Sequence, residues 1–409
     1  MMNGFLLLFS KSGHLQWALA VTLALPWIGW PRSIPEKAAG PQPLWELDLS
    51  KFDYLARPPR ETDEGYRWWT DRQSLVFTQE NVLATTFEVH IDKSGPSVRD
   101  KKLPTDPYHM VALFLDAGRG ELIKKGDWPV KGSERTWFFP AQNGQFILGV
   151  ADKLSLYSLD LSVVIERTMP TAYGQFIDAM SSPAADTFLV LYTGGAEFNY
   201  AWKLDLLDTT HLSTLTSWTG DQAHPKWILW GNELARFSES DMRIEIPPSE
   251  PKEVPTTIEL YCGYQSFINH ETLAVGKFGK DGCNTMAVLS TDGRILQELH
   301  FDPRGIVDPV IASRNGKIFA VPTYATQRAP ARPTVRVFRL GSDVPILTVD
   351  DVVPPQSRIS VSMGRWPDFM AWWWNAQWGA VALSPEGDLL AIRAGPIVRV
   401  YRVPQEQPQ

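Results

Sequence analysis

Seven histidines stand at positions 14, 90, 109, 211, 224, 270 and 300. No two of them have the i,i+2 or i,i+4 spacing that sets a pair of imidazoles on one metal ion. The two cysteines, Cys262 and Cys283, lack the Cys-x-x-Cys spacing of a zinc or redox centre. There is no G-x-S-x-G, no G-x-x-x-x-G-K-[ST], no G-x-G-x-x-G and no EF-hand loop. The motifs therefore point to no metal and no cofactor. What remains is scattered: Asp178, Asp308, Arg304, and His224 ahead of Pro225. Gathered at one place, a carboxylate with a histidine or arginine suits acid–base chemistry. Left apart, such carboxylates cap loop amides.

Tryptophan is the other conspicuous residue, with 17 copies. Trp68-Trp69, Trp372-Trp373-Trp374 and Trp378 are clustered. Exposed indoles stack on sugars and aromatic groups; buried ones fill the wedge between packed sheets. Both readings stand at the level of sequence.

Scattered residues become a site only if a fold gathers the loops that carry them. One pattern recurs along the chain: a short apolar strand, a turn with Gly, Asn or Glu, and a second apolar strand. It is clearest in Phe138–Val150 (FFPAQNGQFILGV), Val310–Val321 (VIASRNGKIFAV) and Val381–Ile392 (VALSPEGDLLAI). Weaker copies begin at Leu75, Phe176, Ile228 and Phe267. Leu83, Ile147, Leu189, Leu234, Leu273, Phe319 and Leu390 occupy equivalent positions, and most successive spacings fall at about 40–45 residues, the period of a four-stranded propeller blade. Alternating segments such as VRVFRL (Val335–Leu340) and VRVYRV (Val398–Val403) fill the third-strand slot. Val163–Arg167 and Ile295–Phe301 fill the fourth. The expected fold is all-β, a seven-bladed β-propeller of four-stranded antiparallel blades. Eight blades, with a degenerate one inside an insertion, and a pair of β-sandwiches are the alternatives.

The repeats span residues 44–404, followed by a polar tail, 405–409. The last copy lacks a fourth strand, and Leu44–Leu49 (LWELDL) precedes the first copy without a partner there. The expectation is that this N-terminal strand closes the ring. Upstream, Leu15–Ile28 is an apolar run of signal-peptide length, and Gly40-Pro41-Gln42-Pro43 reads as a linker. Residues 1–39 are thus a cleaved export signal, an uncleaved membrane anchor or a buried helix. Either of the first two places the body outside the cytoplasm, periplasmic or secreted, or held at a membrane facing away from the cytoplasm. There Cys262 and Cys283 would be free to form a disulfide; two separate buried thiols are the alternative.

Composition sets outer bounds. The 409 residues are 44% hydrophobic and 21% charged, which excludes a disordered chain. A net charge of −7 without basic blocks argues against nucleic acid and anionic membranes as partners.

The seven copies resemble the WD40-like and YVTN-like propellers of exported bacterial proteins, although the Trp-Asp dipeptide and the Gly-His signature of WD40 repeats are absent from the copies. The resemblance implies a disc with a central channel and loops on one face that bind a ligand or a protein; no catalytic residue carries over. The loops leading into the innermost strands crowd the channel mouth, which marks Trp69, Arg135, Tyr173, His224, Tyr264, Arg304 and Asn375 as candidate ligand-binding residues. The function expected is a non-enzymatic binding scaffold for a protein, peptide or glycan. The rival is a loop-assembled hydrolase or lyase acting on an extracellular polymer.

Overall fold

The computed structural model describes residues 40–52, 67–92, 108–130, 136–169, 175–182, 184–193, 202–220, 226–230, 233–238, 243–245, 261–269, 271–279, 282–290, 294–301, 305–307, 310–325, 334–350 and 381–405. The chain divides into Met1–Ala39 and Gly40–Gln409, and the described residues all belong to the second unit. They form strands and short 3-10 turns, with no α-helix among them.

Each blade is an antiparallel meander numbered from its innermost strand. The first holds β2 (Arg67–Gln79), β3 (Val82–Asp92), β4 (Tyr108–Asp116) and β5 (Leu122–Val130). The second holds β6 (Thr136–Pro140), β7 (Phe146–Val150), β8 (Lys153–Tyr157) and β9 (Val163–Thr168). The third holds β10 (Gln175–Ser181), β11 (Thr187–Thr193), β12 (Trp202–Asp208) and β13 (Thr214–Gly220). A three-stranded sheet follows, β14 (Lys226–Trp230), β15 (Glu233–Ser238) and β16 (Arg243–Glu245). The fourth blade is β17 (Tyr261–Asn269), β18 (Thr272–Gly279), β19 (Gly282–Ser290) and β20 (Ile295–His300). In the fifth, the inner strand is broken into β21 (Gly305–Val307) and β22 (Ile311–Ala312), both paired with β23 (Ile318–Ala325), and β24 (Thr334–Arg339) and β25 (Leu347–Asp350) follow. The sixth is β26 (Val381–Leu383), β27 (Leu389–Ala394), β28 (Ile397–Arg402) and, outermost, β1 (Trp45–Asp48). The inner strands are neighbours in turn, β2 beside β6, β6 beside β10, β10 beside β14, β14 beside β17, β17 beside β22, β22 beside β26 and β26 beside β2. The ring is closed.

The blade count corrects the sequence reading. Six four-stranded blades are present, not seven and not eight; the fourth copy of the repeat has only three strands among the described residues. Its third strand is three residues long, and the sequence beyond it carries Pro247, Pro248, Pro251 and Pro255. Proline offers no N–H to a ladder and disfavours a further paired strand.

The N-terminal strand does complete the last blade. β1 runs antiparallel to β28, with Trp45 opposite Val400 and Asp48 opposite Ile397. Its side chains also cross the seam: the Trp45 indole N–H donates to the Ala117 carbonyl at 2.7 Å, in the β4–β5 turn of the first blade. Leu49, fully buried, joins Leu83, Phe87, Leu113, Ala391 and Val400 in the core between the sixth and first blades. Similar apolar layers lie between the second and third, the fourth and fifth, and the fifth and sixth blades. Between the first and second, Phe138 stacks on Phe146 at 4.9 Å and Phe146 on Tyr157 at 5.2 Å. Trp128 meets Phe146 and Tyr157 edge-on in the same layer. There, tryptophan fills the wedge between sheets; the side chains of Trp68, Trp69, Trp372–Trp374 and Trp378 lie outside the described residues.

The repeated turn has a physical basis. Between the first and second strands, the hydroxyls of Ser182, Ser313 and Ser384 accept the amides of Thr187, Ile318 and Leu389, five residues on. Ser182 and Ser384 also donate to Asp186 and Asp388. Gly144, Gly316 and Gly387 hold the same place in three of these turns, with φ of 72°, 66° and 78°, a region that strains a residue bearing a Cβ. Local chemistry of the Ser-x-x-Gly kind therefore generates the repeat that the sequence shows.

The expected disulfide finds no support in the strand order. Cys262 lies on β17 and Cys283 on β19, and β18 runs between them as the partner of both. Strands spaced about 4.8 Å apart put backbones on either side of a third strand at roughly 10 Å. A disulfide requires Cα atoms within about 7 Å. No cysteine pair is seen among the described residues.

Candidate functional site

Antiparallel alternation sorts the connections onto two edges of the ring. Turns from first to second and from third to fourth strand leave by one edge, and they are short: 80–81, 117–121, 158–162, 313–317 and 384–388 are examples. Connections from second to third strand, and from fourth strand to the next blade, leave by the other edge. These include the long stretches 53–66, 93–107 and 351–380, whereas 246–260 follows the third strand β16 and so starts at the short-turn edge before β17 begins at the other. Long connections carried on a rigid ring are where a propeller builds a binding surface.

Six of the seven sequence-predicted residues map to this long-connection edge by their place in the chain. Arg135 falls between β5 and β6, Tyr173 between β9 and β10, and His224 between β13 and β14; Arg304 falls between β20 and β21 and Asn375 between β25 and β26. All five lie outside the described residues. Trp69 is near the start of β2, in register with His90. The seventh, Tyr264, sits on β17 where the register shifts between Tyr261 and Gln265. The side chains of Trp69 and Tyr264 lie outside the described residues, as do Asp308 and the side chain of Asp178, which follows a register shift in β10. The structure thus groups the predicted positions by connection, without describing a contact among their side chains.

Polar groups that the sequence reading did not single out line the same edge. His109, near the start of β4, and Asp127, late in β5, meet at 2.8 Å from Nδ1 to Oδ1. The pair stands on the third and fourth strands, so it belongs to the rim of the disc rather than the channel mouth. Thr136, opening β6, donates its hydroxyl to Glu88 of β3 and ties the second blade to the first. Between the second and third blades, fully buried Asp205 accepts Lys203 at 2.9 Å and the Ser217 hydroxyl at 2.5 Å, with Arg167 at 3.8 Å. Arg167 also donates to the Leu212 carbonyl at 2.6 Å and to Thr214 at 2.8 Å. Burial first, and then the neighbouring Asp205 carboxylate, push the Tyr192 phenol well above its ordinary range. Its hydroxyl faces the Met169 sulfur at 3.1 Å. A buried carboxylate with cations on both sides and a neutral phenol make this a structural joint.

The seam between the sixth and first blades holds two further polar devices. Arg393 is fully buried and donates to the Thr85 hydroxyl at 2.8 Å and the Thr86 carbonyl at 2.7 Å, its guanidinium lying 5.5 Å from the Phe87 ring centroid. On the short-turn edge, Glu80 of the β2–β3 turn accepts the Glu386 amide at 3.1 Å and shares a hydrogen bond with Asp388. Its Oε1 is buried with no hydrogen-bond partner. Burial, then the hydrogen bond and charge of Asp388, raise the Glu80 carboxyl to about 6. No local motif announces these residues; only the meeting of chain ends makes them neighbours.

No protein-family model matches the chain, and no curated protein matches it. Solved structures do. A chain in the crystal structure of the Mitotic Checkpoint Complex is 12% identical, with a TM-score of 0.51 over 95% of this chain and 99% of its own. Oligogalacturonate lyase in complex with manganese is 10% identical, with a TM-score of 0.53 over 83% of this chain and 97% of its own. At such identities the likeness is one of fold. The class is an all-β propeller, the fold shared with these two neighbours.

Proposed function

We propose that this protein is a non-enzymatic binding scaffold working outside the cytoplasm, periplasmic or secreted or held at a membrane by its N-terminal segment. Its partner is a protein, peptide or glycan taken up at the long-connection edge. The observation that carries this reading is the asymmetry of the ring: one edge has tight turns, and three of the four longest connections, 53–66, 93–107 and 351–380, begin and end at the other, together with the positions of Trp69, Arg135, Tyr173, His224, Arg304 and Asn375. Aromatic and guanidinium groups recognise by stacking and bidentate hydrogen bonding, and the set contains no carboxylate to act as base. Export is in line with the apolar run Leu15–Ile28 and with the resemblance to exported WD40-like and YVTN-like propellers.

The test is capture of partners from the extracytoplasmic fraction, followed by the triple variant Arg135→Ala, Tyr173→Ala, Arg304→Ala. Loss of binding with unchanged melting supports the reading. Unchanged affinity in the folded triple variant removes the site from this edge. Turnover of a polysaccharide by the purified protein, abolished by the same variant, would assign chemistry instead.

A further inference from the structure

All the large hydrophobic side chains that stand exposed among the described residues lie on the short-turn edge. Three blades present an apolar doublet where the outermost strand begins: Leu122-Ile123 (43% and 49% exposed), Val163-Val164 (52% and 48%) and Ile295-Leu296 (40% and 38%). In three other blades a single residue takes the corresponding place, Leu44 ahead of β1, Leu215 early in β13 and Val344 ahead of β25. The placement follows from the topology. Every fourth strand runs in the same sense, so every fourth strand starts at the edge where the inner strands end. An outermost strand ordinarily blunts its start with charge, because its edge is unpaired. Here six blades do the reverse at one point, which makes a belt around the disc rather than scattered apolar residues.

Two further observations identify what the belt faces. The chain enters the propeller at this same edge, since Leu44, just ahead of β1, donates its amide to the Val400 carbonyl of β28, and Trp45 begins β1 opposite Val400. The apolar run Leu15–Ile28 precedes it, joined by residues 29–43. The charges on this edge are mixed: Arg119, Arg294, Arg314 and Lys317 alternate with Glu121, Asp160, Asp343 and Glu386. A partner of strong charge has no complement here, whereas a neutral lipid interface accepts apolar side chains at its surface without one.

We propose that the short-turn edge rests on a lipid bilayer, with the apolar belt dipping into the interfacial region and the long-connection edge turned away toward the partner. The inference rests on the membrane-held form of the function above, not on the identity of the partner. The Leu15–Ile28 segment supplies attachment, and the belt supplies orientation.

The experiment is hydrogen exchange on the full-length chain, free and bound to phosphatidylcholine vesicles. Amides of 118–125, 159–165 and 294–297 are expected to slow on vesicles, while those of 131–135 and 170–174 do not. A variant with the three doublets changed to serine (Leu122→Ser, Ile123→Ser, Val163→Ser, Val164→Ser, Ile295→Ser, Leu296→Ser) should still sediment with vesicles through its N-terminal segment, keep its β circular dichroism and lose the protection. A second variant carrying only Val163→Ser and Val164→Ser should lose protection at 159–165 alone, and it decides the matter if the sixfold variant fails to fold. Absence of vesicle binding by the full chain, equal protection of both edges, or protection that follows protein concentration without lipid would each overturn the proposal. The last of these would assign the belt to a second copy of the chain. Loss of partner binding leaves this readout unaffected, so the two readings fail separately.

Discussion

Changing Glu80 to Gln isolates one device at the ring-closing seam. In the folded protein the Glu80 carboxyl is raised from 4.5 to about 6, by burial first and then by the hydrogen bond and charge of Asp388. The folded state therefore binds this proton more tightly than the unfolded chain does. The stabilisation is fully present below the unfolded value near 4.5 and is lost as the pH rises through about 6. At 1.36 kcal/mol per pH unit the shift corresponds to about 2 kcal/mol. Glu80 is only partly buried, and solvent screening brings this down to about 1 kcal/mol. A glutamine keeps the neutral form at every pH and can still donate to Asp388. The variant should match the wild type near pH 4 and exceed it by about 1 kcal/mol near pH 7.5, read from urea unfolding followed by tryptophan fluorescence. The comparison of variant with wild type cancels the titration of other groups. If the two proteins show parallel pH dependence, the pair does not share a proton across the seam and the reasoning fails.

Other outcomes follow from the same seam and its neighbours. Arg393→Met should cost about 1–3 kcal/mol by leaving buried acceptors unsatisfied, and Arg393→Lys should recover only part of it, because the guanidinium donates from two nitrogens, Nη1 to Thr85 and Thr86 and Nε to the Gly395 carbonyl, and an ammonium has one; chemical denaturation measures both. Deleting residues 40–50 should lower the melting temperature far more than deleting 405–409, since it strips β1 from β28 and removes Leu49 from the core; equal melting temperatures would count against closure by β1. Trp45→Ala alone should cost about 3 kcal/mol through the lost indole packing and the bond to Ala117. Alkylation of the denatured, unreduced protein should count two free thiols, even after air oxidation; a count of zero would mean that β17 and β19 are not separated by β18.

The sequence by itself determined the repeat and the order of strands within it. Leu83, Ile147, Leu189, Leu234, Leu273, Phe319 and Leu390 each lie on the second strand of their sheet. The reason is local: a serine hydroxyl and a glycine of positive φ make the same tight turn wherever they recur, and apolar runs on either side have nowhere to go but between sheets. The closing strand was legible too, as an apolar segment without a partner beside a blade without an outer strand. The number of complete blades was not, because period alone does not say whether a fourth strand forms, and prolines after Glu245 remove the amides that a ladder needs. Nor was the separation of Cys262 from Cys283, which depends on an intervening strand rather than on distance along the chain. Arg393 with Thr85 and Glu80 with Asp388 are more than 300 residues apart in sequence, and only ring closure brings them together. The apolar belt belongs to the same category. Each doublet reads as ordinary strand in its own blade; the shared direction of six outer strands is what sets them all on one edge.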